Sequence, residues 1–318
     1  MRHDEFIAQR RANWERLERL IEQAGAGLAG LSASELRELG RLYRQAAADL
    51  ATARRDLPGH TIVGFLNGLV ARGHSAVYRE SGAGGTTRIR TFFRTDLPQT
   101  FRATWRATLI ACLMFLVPAL IGFGLTMNDP ALAGVLMPGA DLVVGEVQAG
   151  NEWWLRINEE GRSLASAEIM TNNIGVAFRA FAGGVTLGIY TGYILMMNGL
   201  FLGIIAGAAQ RFAFAGNLWG FIAAHGVVEL SVIFIAGGAG LQLGWAILRP
   251  GLLTRRGALV VAARRALILI LGCIPLLIIA GLIEAFISPS ALPLAIKYAV
   301  AIGSGIALYT YLLGVGRT

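Results

Sequence analysis

From Asn172 to Leu248 the chain reads NNIGVAFRAFAGGVTLGIYTGYILMMNGLFLGIIAGAAQRFAFAGNLWGFIAAHGVVELSVIFIAGGAGLQLGWAIL. The tract is almost unbroken in its apolar character. As one helix its roughly 75 residues would extend about 110 Å, against a hydrocarbon core of about 30 Å. One crossing cannot use it all. What flanks the tract fixes the parity. Before it lies a loop, Thr126 to Thr171, with seven acidic residues and two arginines; after it comes RPGLLTRRGALVVAARR, with five arginines. Arginine is retained at the cytoplasmic face of a membrane, so loop and basic segment fall on opposite sides and the number of crossings is odd. Three crossings of about 25 residues satisfy this, with helix breaks near Asn198 and Gly199 and around Asn217 to Gly226. One crossing with re-entrant half-helices also satisfies it, provided protein buries the broken backbone.

The rest of the chain completes an all-α, polytopic bundle. One span precedes the acidic loop, at about Trp105 to Leu125, and two follow the basic segment, at about Ala266 to Ile287 and Leu294 to Val315. The total is about six crossings, or fewer with re-entrant half-helices, and both termini are cytoplasmic. Composition agrees: 55% of residues are hydrophobic and 15% charged, where soluble domains carry about 25% charged. The net charge of +8 comes almost wholly from arginine, with Lys297 the one lysine. No basic stripe alternates with stacking aromatics, so nucleic-acid binding is excluded in favour of arginine held against lipid. The setting expected is a bacterial inner (plasma) membrane. The charged N-terminus has no signal-peptide core, which leaves the first span to direct insertion. Cys112 and Cys273 both fall in apolar runs and act as small hydrophobes.

Residues 1–80 read as a cytoplasmic helical domain. Phe6, Ile7, Trp14, Leu17, Leu20 and Ile21 line one face of a first helix. Ser32 and Glu35 form a capping-box pattern that opens a second, and IVGFLNGLVARGHSAVY supplies a third. The three helices close on themselves or on a partner. Residues 81–104 hold a flexible linker, RESGAGGTTRIR, and then an interfacial segment in which Phe92, Phe93, Phe101 and Trp105 alternate with arginines. Residues 105–318 form the transmembrane domain, with the acidic loop 126–171 outside.

Several polar residues stand out against this background. His225 and Glu229 are four apart and share a helix face. They form a structural pair at a helix break, with Gly226 and the Asn198–Gly199 step as further break points, or a proton or ion relay. They supply two metal ligands where zinc takes three or four protein ligands, so no metal site and no cofactor is expected. Glu284 and Lys297 flank SPSALP at similar distances, as a hairpin ion pair or an external binding site. Asn172 and Asn173 open the long tract as helix caps, Arg179 snorkels to the outer surface or pairs with the acidic loop, and Trp153 with Trp154 form an aromatic anchor. Neither a phosphate-binding loop nor a nucleophile elbow occurs, and no catalytic residue is assigned. Repeated glycines, among them Gly183 and Gly188 or Gly199 and Gly203, suit close helix packing, and with it a homodimer.

Several segments, LYRQAAADLATAR, LNGLVARGHSAVY, MTNNIGVAFRAFAGG, NGLFLG, HGVVELSVIFIAGGAGLQLG and GLIEAFISPS, together resemble the stage II sporulation protein M family of bacterial and archaeal integral membrane proteins. The resemblance implies a multi-pass inner-membrane protein. It also implies work alongside peptidoglycan-remodelling partners, or, outside spore formers, alongside AAA+ ATPases of the MoxR class in envelope stress or assembly. The long N-terminal bundle departs from the sporulation members. A membrane scaffold is therefore the first expectation, and a transporter or channel component with a polar pathway around His225 and Glu229 is the alternative.

Overall fold

The computed structural model describes residues 3–24, 31–77, 85–152, 154 and 162–317. Trp153 and the acidic residues Glu159 and Glu160 of the loop lie outside the described residues, as does most of the linker. Every regular element among the described residues is helical. The chain divides into two compact units, residues 1–90 and 91–318.

The first unit holds α1 (His3–Ala24), α2 (Ala33–Asp56), α3 (Thr61–Val77) and the short α4 (Gly85–Thr91), whose last residue opens the second unit. The capping box forms as the sequence predicts: Ser32 Oγ accepts from the Glu35 N–H while the Glu35 carboxylate accepts from the Ser32 N–H. Leu17, Leu20, Leu39, Leu42, Leu66 and Leu69 are fully buried between α1, α2 and α3, so the bundle closes on its own core. One polar contact enters that core. Asp49 is buried and accepts from Trp14 Nε1 at 2.9 Å, with Arg10 at 3.8 Å.

In the second unit α5 (Leu97–Asn128) is followed by α6 (Leu132–Leu136) and α7 (Ala140–Gln148). Then come α8 (Arg162–Ala182), α9 (Ile189–Arg211), α10 (Ala215–Leu248), α11 (Arg255–Phe286) and α12 (Leu294–Gly314). The helix α4 runs through a π turn, Phe92–Asp96, straight into α5, so the flexible linker expected up to Arg90 is helical from Gly85 onward. Five helices among the described residues are long and apolar enough to cross a membrane: the one ending at Asn128, and α9, α10, α11 and α12.

Contacts along these helices give their directions. Gly199, Gly203 and Gly207 of α9 rest on the carbonyls of Phe115, Ala119 and Phe123, so α9 runs parallel to α5. Helix α10 is antiparallel to both, with Phe234 against Phe115 and Gly238 against Thr108. Helix α8 runs parallel to α10, from Asn173 beside Glu229 to Gly184 against Gly240. Arg102, Arg106, Arg249, Arg255 and Arg256 gather at one end of the unit. Asp129, Asp141, Glu146 and Glu152 gather at the other.

The long tract is divided among the second half of α8, α9 and α10, but not at the expected breaks. The first turn is Gly183–Gly188, where a 3₁₀ turn leads into Leu187 and Gly188 with positive φ. The second is Phe212–Phe214, with Ala213 at φ 57°. Asn198 and Gly199 lie inside α9, and Gly226 inside α10. Asn198 folds its amide back onto the Ile194 carbonyl at 2.7 Å, and Gly199 is the contact surface for α5. The glycines there serve close helix approach and leave the helix intact.

Candidate functional site

Near the middle of α10, Glu229 is buried with 5% of its surface exposed, and His225 with 4%. Being one helical turn apart, they meet as the sequence requires, with His225 Nε2 3.8 Å from Glu229 Oε2. Their remaining partners come from other elements. Asn173 of α8 donates its amide N–H to Glu229 Oε2 at 2.6 Å. Ser288, just past α11, shares a 2.7 Å hydrogen bond between its Oγ and His225 Nδ1. Phe221, one turn before His225, sets its ring edge-on to the imidazole and stacks against Trp154 at 5.1 Å.

Several expectations change here. Asn172 and Asn173 are not caps: both lie within α8, which begins at Arg162, and Asn173 faces α10. Arg179 is not at the acidic end. Helix α8 descends toward the arginine-rich end, and Arg179 there donates to the Gly175 carbonyl at 3.0 Å. Trp154 is no surface anchor, being 5% exposed against Phe214 and Phe221.

Glu284 and Lys297 do not pair. Helix α11 ends at Phe286, and the seven-residue turn that follows brings Lys297, in the first turn of α12, over the helix end, where Nζ donates to the Ser288 carbonyl at 2.7 Å. That is where the free carbonyls of a helix terminus attract a cation. Glu284 instead turns inward. It is 3% exposed, lies within electrostatic reach of Glu229, and neither carboxyl oxygen has a hydrogen-bond partner among the described residues.

Above the cluster, at the acidic end, a cavity of about 230 Å³ is lined by Glu152, Trp154, Asn217, Phe221, Ser288 and Lys297, among others. Asn217 donates to Glu152 across it. At about 30 Å³ per water the space suits several waters and falls short of the roughly 300 Å³ where small-molecule pockets begin. Its wall includes Ser288. His225 and Glu229 are not part of its wall. Toward the arginine-rich end the packing is apolar, from Val232, Ile235, Ala236 and Ala239 to Leu269 and Cys273. Among the described residues no three His, Cys, Asp or Glu side chains are placed to share a metal ion.

Of the residues that complete the cluster, Asn173 stands out in the sequence only as a cap and Asn217 only as the bound of a break, while Ser288 and Glu152 have no site signal of their own. Each is an ordinary polar residue until the fold sets it against α10 or the cavity. Arg102 is a further case. Expected to face lipid headgroups, it instead donates to the carbonyls of Leu312, Val315 and Gly316, at 2.9, 2.7 and 3.0 Å, and ties the start of the first span to the end of the last.

No curated protein and no solved structure matches the chain. Residues 4–79 match a domain family of unknown function (DUF8413), which coincides with α1 to α3. The two N-terminal segments of the resemblance fall in that domain, so they speak for it and not for the membrane unit. The profile of stage II sporulation protein M matches residues 111–289. The match covers more than half of the chain and takes in Asn173, His225, Glu229, Glu284 and Ser288: the chain belongs to the stage II sporulation protein M family.

Proposed function

We propose that the chain is a scaffold or assembly factor for cell-envelope complexes in the bacterial inner membrane, with six crossings and both termini cytoplasmic. The observation that carries this reading is the buried, hydrogen-bonded state of Glu229. A transport pathway requires water or solute to reach its central polar group. Here the cavity at the acidic end is lined by Ser288 and not by Glu229, and Asn173 satisfies the carboxylate from a neighbouring helix. The cluster thereby ties α8, α10 and the α11–α12 turn together, which is the work of a rigid frame. Clustered arginines at one end of the passes support the orientation, through the preference of arginine for the cytoplasmic side. The N-terminal bundle, with a core of its own, supplies a docking module for a regulator such as a MoxR-class AAA+ ATPase. The acidic end presents α6 and α7 to peptidoglycan-remodelling partners. The reading assigns no catalysis and no cofactor, and it accommodates a homodimer.

Two measurements test it. Co-purification from native membranes is expected to recover envelope proteins at fixed stoichiometry. Purified protein in liposomes is expected to pass neither protons nor solutes. A flux that Glu229→Gln abolishes would sink the scaffold reading and establish the second one, a transporter or channel component. What favours that second reading is the line of polar groups running from the cavity through Ser288 and His225 to Glu229.

A further inference from the structure

Glu284 is the one feature of the cluster that a purely structural role leaves unexplained. Its carboxyl group is almost fully buried, has no donor within hydrogen-bond reach among the described residues, and lies within electrostatic reach of Glu229 on α10. An ionised carboxylate in such a place needs a partner or a bound cation, and failing both it takes up a proton.

The charged and titratable groups around it give it no counter-ion. Helix α10 brings Glu229 and His225, and Glu229 is already the acceptor for Asn173 of α8. From α12 comes Lys297, whose ammonium is engaged at the Ser288 carbonyl and acts with Glu152 on the cavity side. Helix α9 carries only Arg211, at its end, and α5 only Arg102 and Arg106, at the opposite end of the unit. Of the charges on α8, Arg179 lies near the arginine-rich end, and the side chains of Arg162 and Glu168 are outside the described residues.

A chain of polar groups leads toward it from the acidic end. Ser288 lines the cavity there and is bonded to His225 Nδ1; the other imidazole nitrogen lies 3.8 Å from Glu229, and Glu229 is within electrostatic reach of Glu284. A neutral imidazole accepts a proton on one nitrogen and releases one from the other, so no net charge has to stay in the interior. Toward the other end, among the described residues, apolar side chains of α5, α10 and α11 such as Phe101, Val232, Ala236, Leu269 and Cys273 pack against one another.

We propose that Glu284 is a buried proton-binding site, loaded and emptied only from the acidic end of the membrane unit through Ser288, His225 and Glu229. It is a dead end and not a conduit. The proton moves from cavity water to His225 as the imidazole passes its own proton to Glu229 and thence to Glu284, with each group restored afterwards. The inference goes beyond the scaffold reading and does not depend on any partner.

Infrared spectroscopy of the full chain in lipid tests it. At neutral pH the carbonyl stretch of a protonated carboxyl group is expected, lost in Glu284→Gln and retained in Cys273→Ser. On transfer into D₂O that band shifts, and Ser288→Ala or His225→Phe is expected to slow the shift roughly tenfold, the effect of removing one hydrogen-bonded step. Glu284→Gln mimics the protonated acid and should fold; Glu284→Asp, which keeps the carboxyl, serves should it not, and is expected to retain the band. The proposal is overturned by a spectrum in which no protonated carboxyl depends on Glu284. It is equally overturned by a band present only when sodium is withheld, which would make the ligand a metal cation. Proton flux through liposomes that requires Glu284 would overturn the one-sided access and, with it, the scaffold reading; a missing band would leave that reading intact.

Discussion

Glu229 depends on a single amide reaching it from a helix 56 positions away. Removing that amide leaves a buried acceptor unsatisfied, which costs about 1–3 kcal/mol. Asn173→Leu is therefore expected to lower the unfolding temperature of the purified protein measurably, while Asn173→Asp is expected to be worse, since it sets a third carboxyl beside Glu229 and Glu284. Thermal unfolding in detergent reads both, and an unchanged Asn173→Leu would show that the bond does not stabilise the fold. The pair itself was legible, because four-residue spacing on a helix decides which side chains share a face. Asn173 reads as a cap in the sequence because it opens the apolar tract. Its role follows from α8 beginning eleven residues earlier, at Arg162.

The glycine rows show how helices find their partners. A Cβ on Gly203 would overlap the Ala119 carbonyl, and one on Gly207 would crowd the Phe123 carbonyl, so α9 and α5 meet backbone to backbone. In lipid this close approach replaces hydrophobic burial as the source of attraction. Gly203→Ala is expected to cost about 1–3 kcal/mol through overpacking. Gly303→Ala and Gly124→Ala, where a Cβ meets nothing within 4 Å, are expected to be close to neutral, and comparing unfolding temperatures across the three checks the contact.

In the first unit, acid is the lever. Hydrogen bonds from Ser32 hold the Glu35 carboxyl below its ordinary range, and the Arg16 guanidinium does the same for Glu38. Groups depressed in the folded state contribute stability that is full above the ordinary glutamate value of about 4.3 and is lost as pH falls through the lower folded value. The bundle is expected to weaken as pH drops below that point, and Glu35→Gln to flatten the dependence in circular-dichroism melts. Both carboxylates are exposed, so the effect is modest and screened by salt.

For the protein as a whole, Arg102 closes the circle of passes by binding the last carbonyls of α12 from the start of α5. Arg102→Ala removes three charge-assisted bonds at once and is expected to cost about 2–3 kcal/mol, part of it recovered by water at that end. Loss of stability without loss of helix content, by circular dichroism, is the outcome that matches a clasp. Orientation is checked separately: a cysteine placed at Asp141 is expected to react with an impermeant reagent from outside intact cells, and one at Leu252 only after lysis. Reversal of the two would overturn the cytoplasmic termini.

The sequence by itself determined the class of the protein, its two-part organisation, that the long tract cannot be one straight helix, and the pairing of His225 with Glu229. Each rests on short-range rules: the length of an apolar run against the membrane, the clustering of arginine, the 3.6-residue repeat. Only the tertiary structure decided where the tract turns, which residues satisfy Glu229 and His225, and that Glu284 does not pair with Lys297. A glycine reads alike whether it breaks a helix or carries a neighbour's backbone, and a polar side chain does not name the helix it will meet. Those choices are made when six helices pack together, by whether backbone can approach and whether a buried polar group finds its donor.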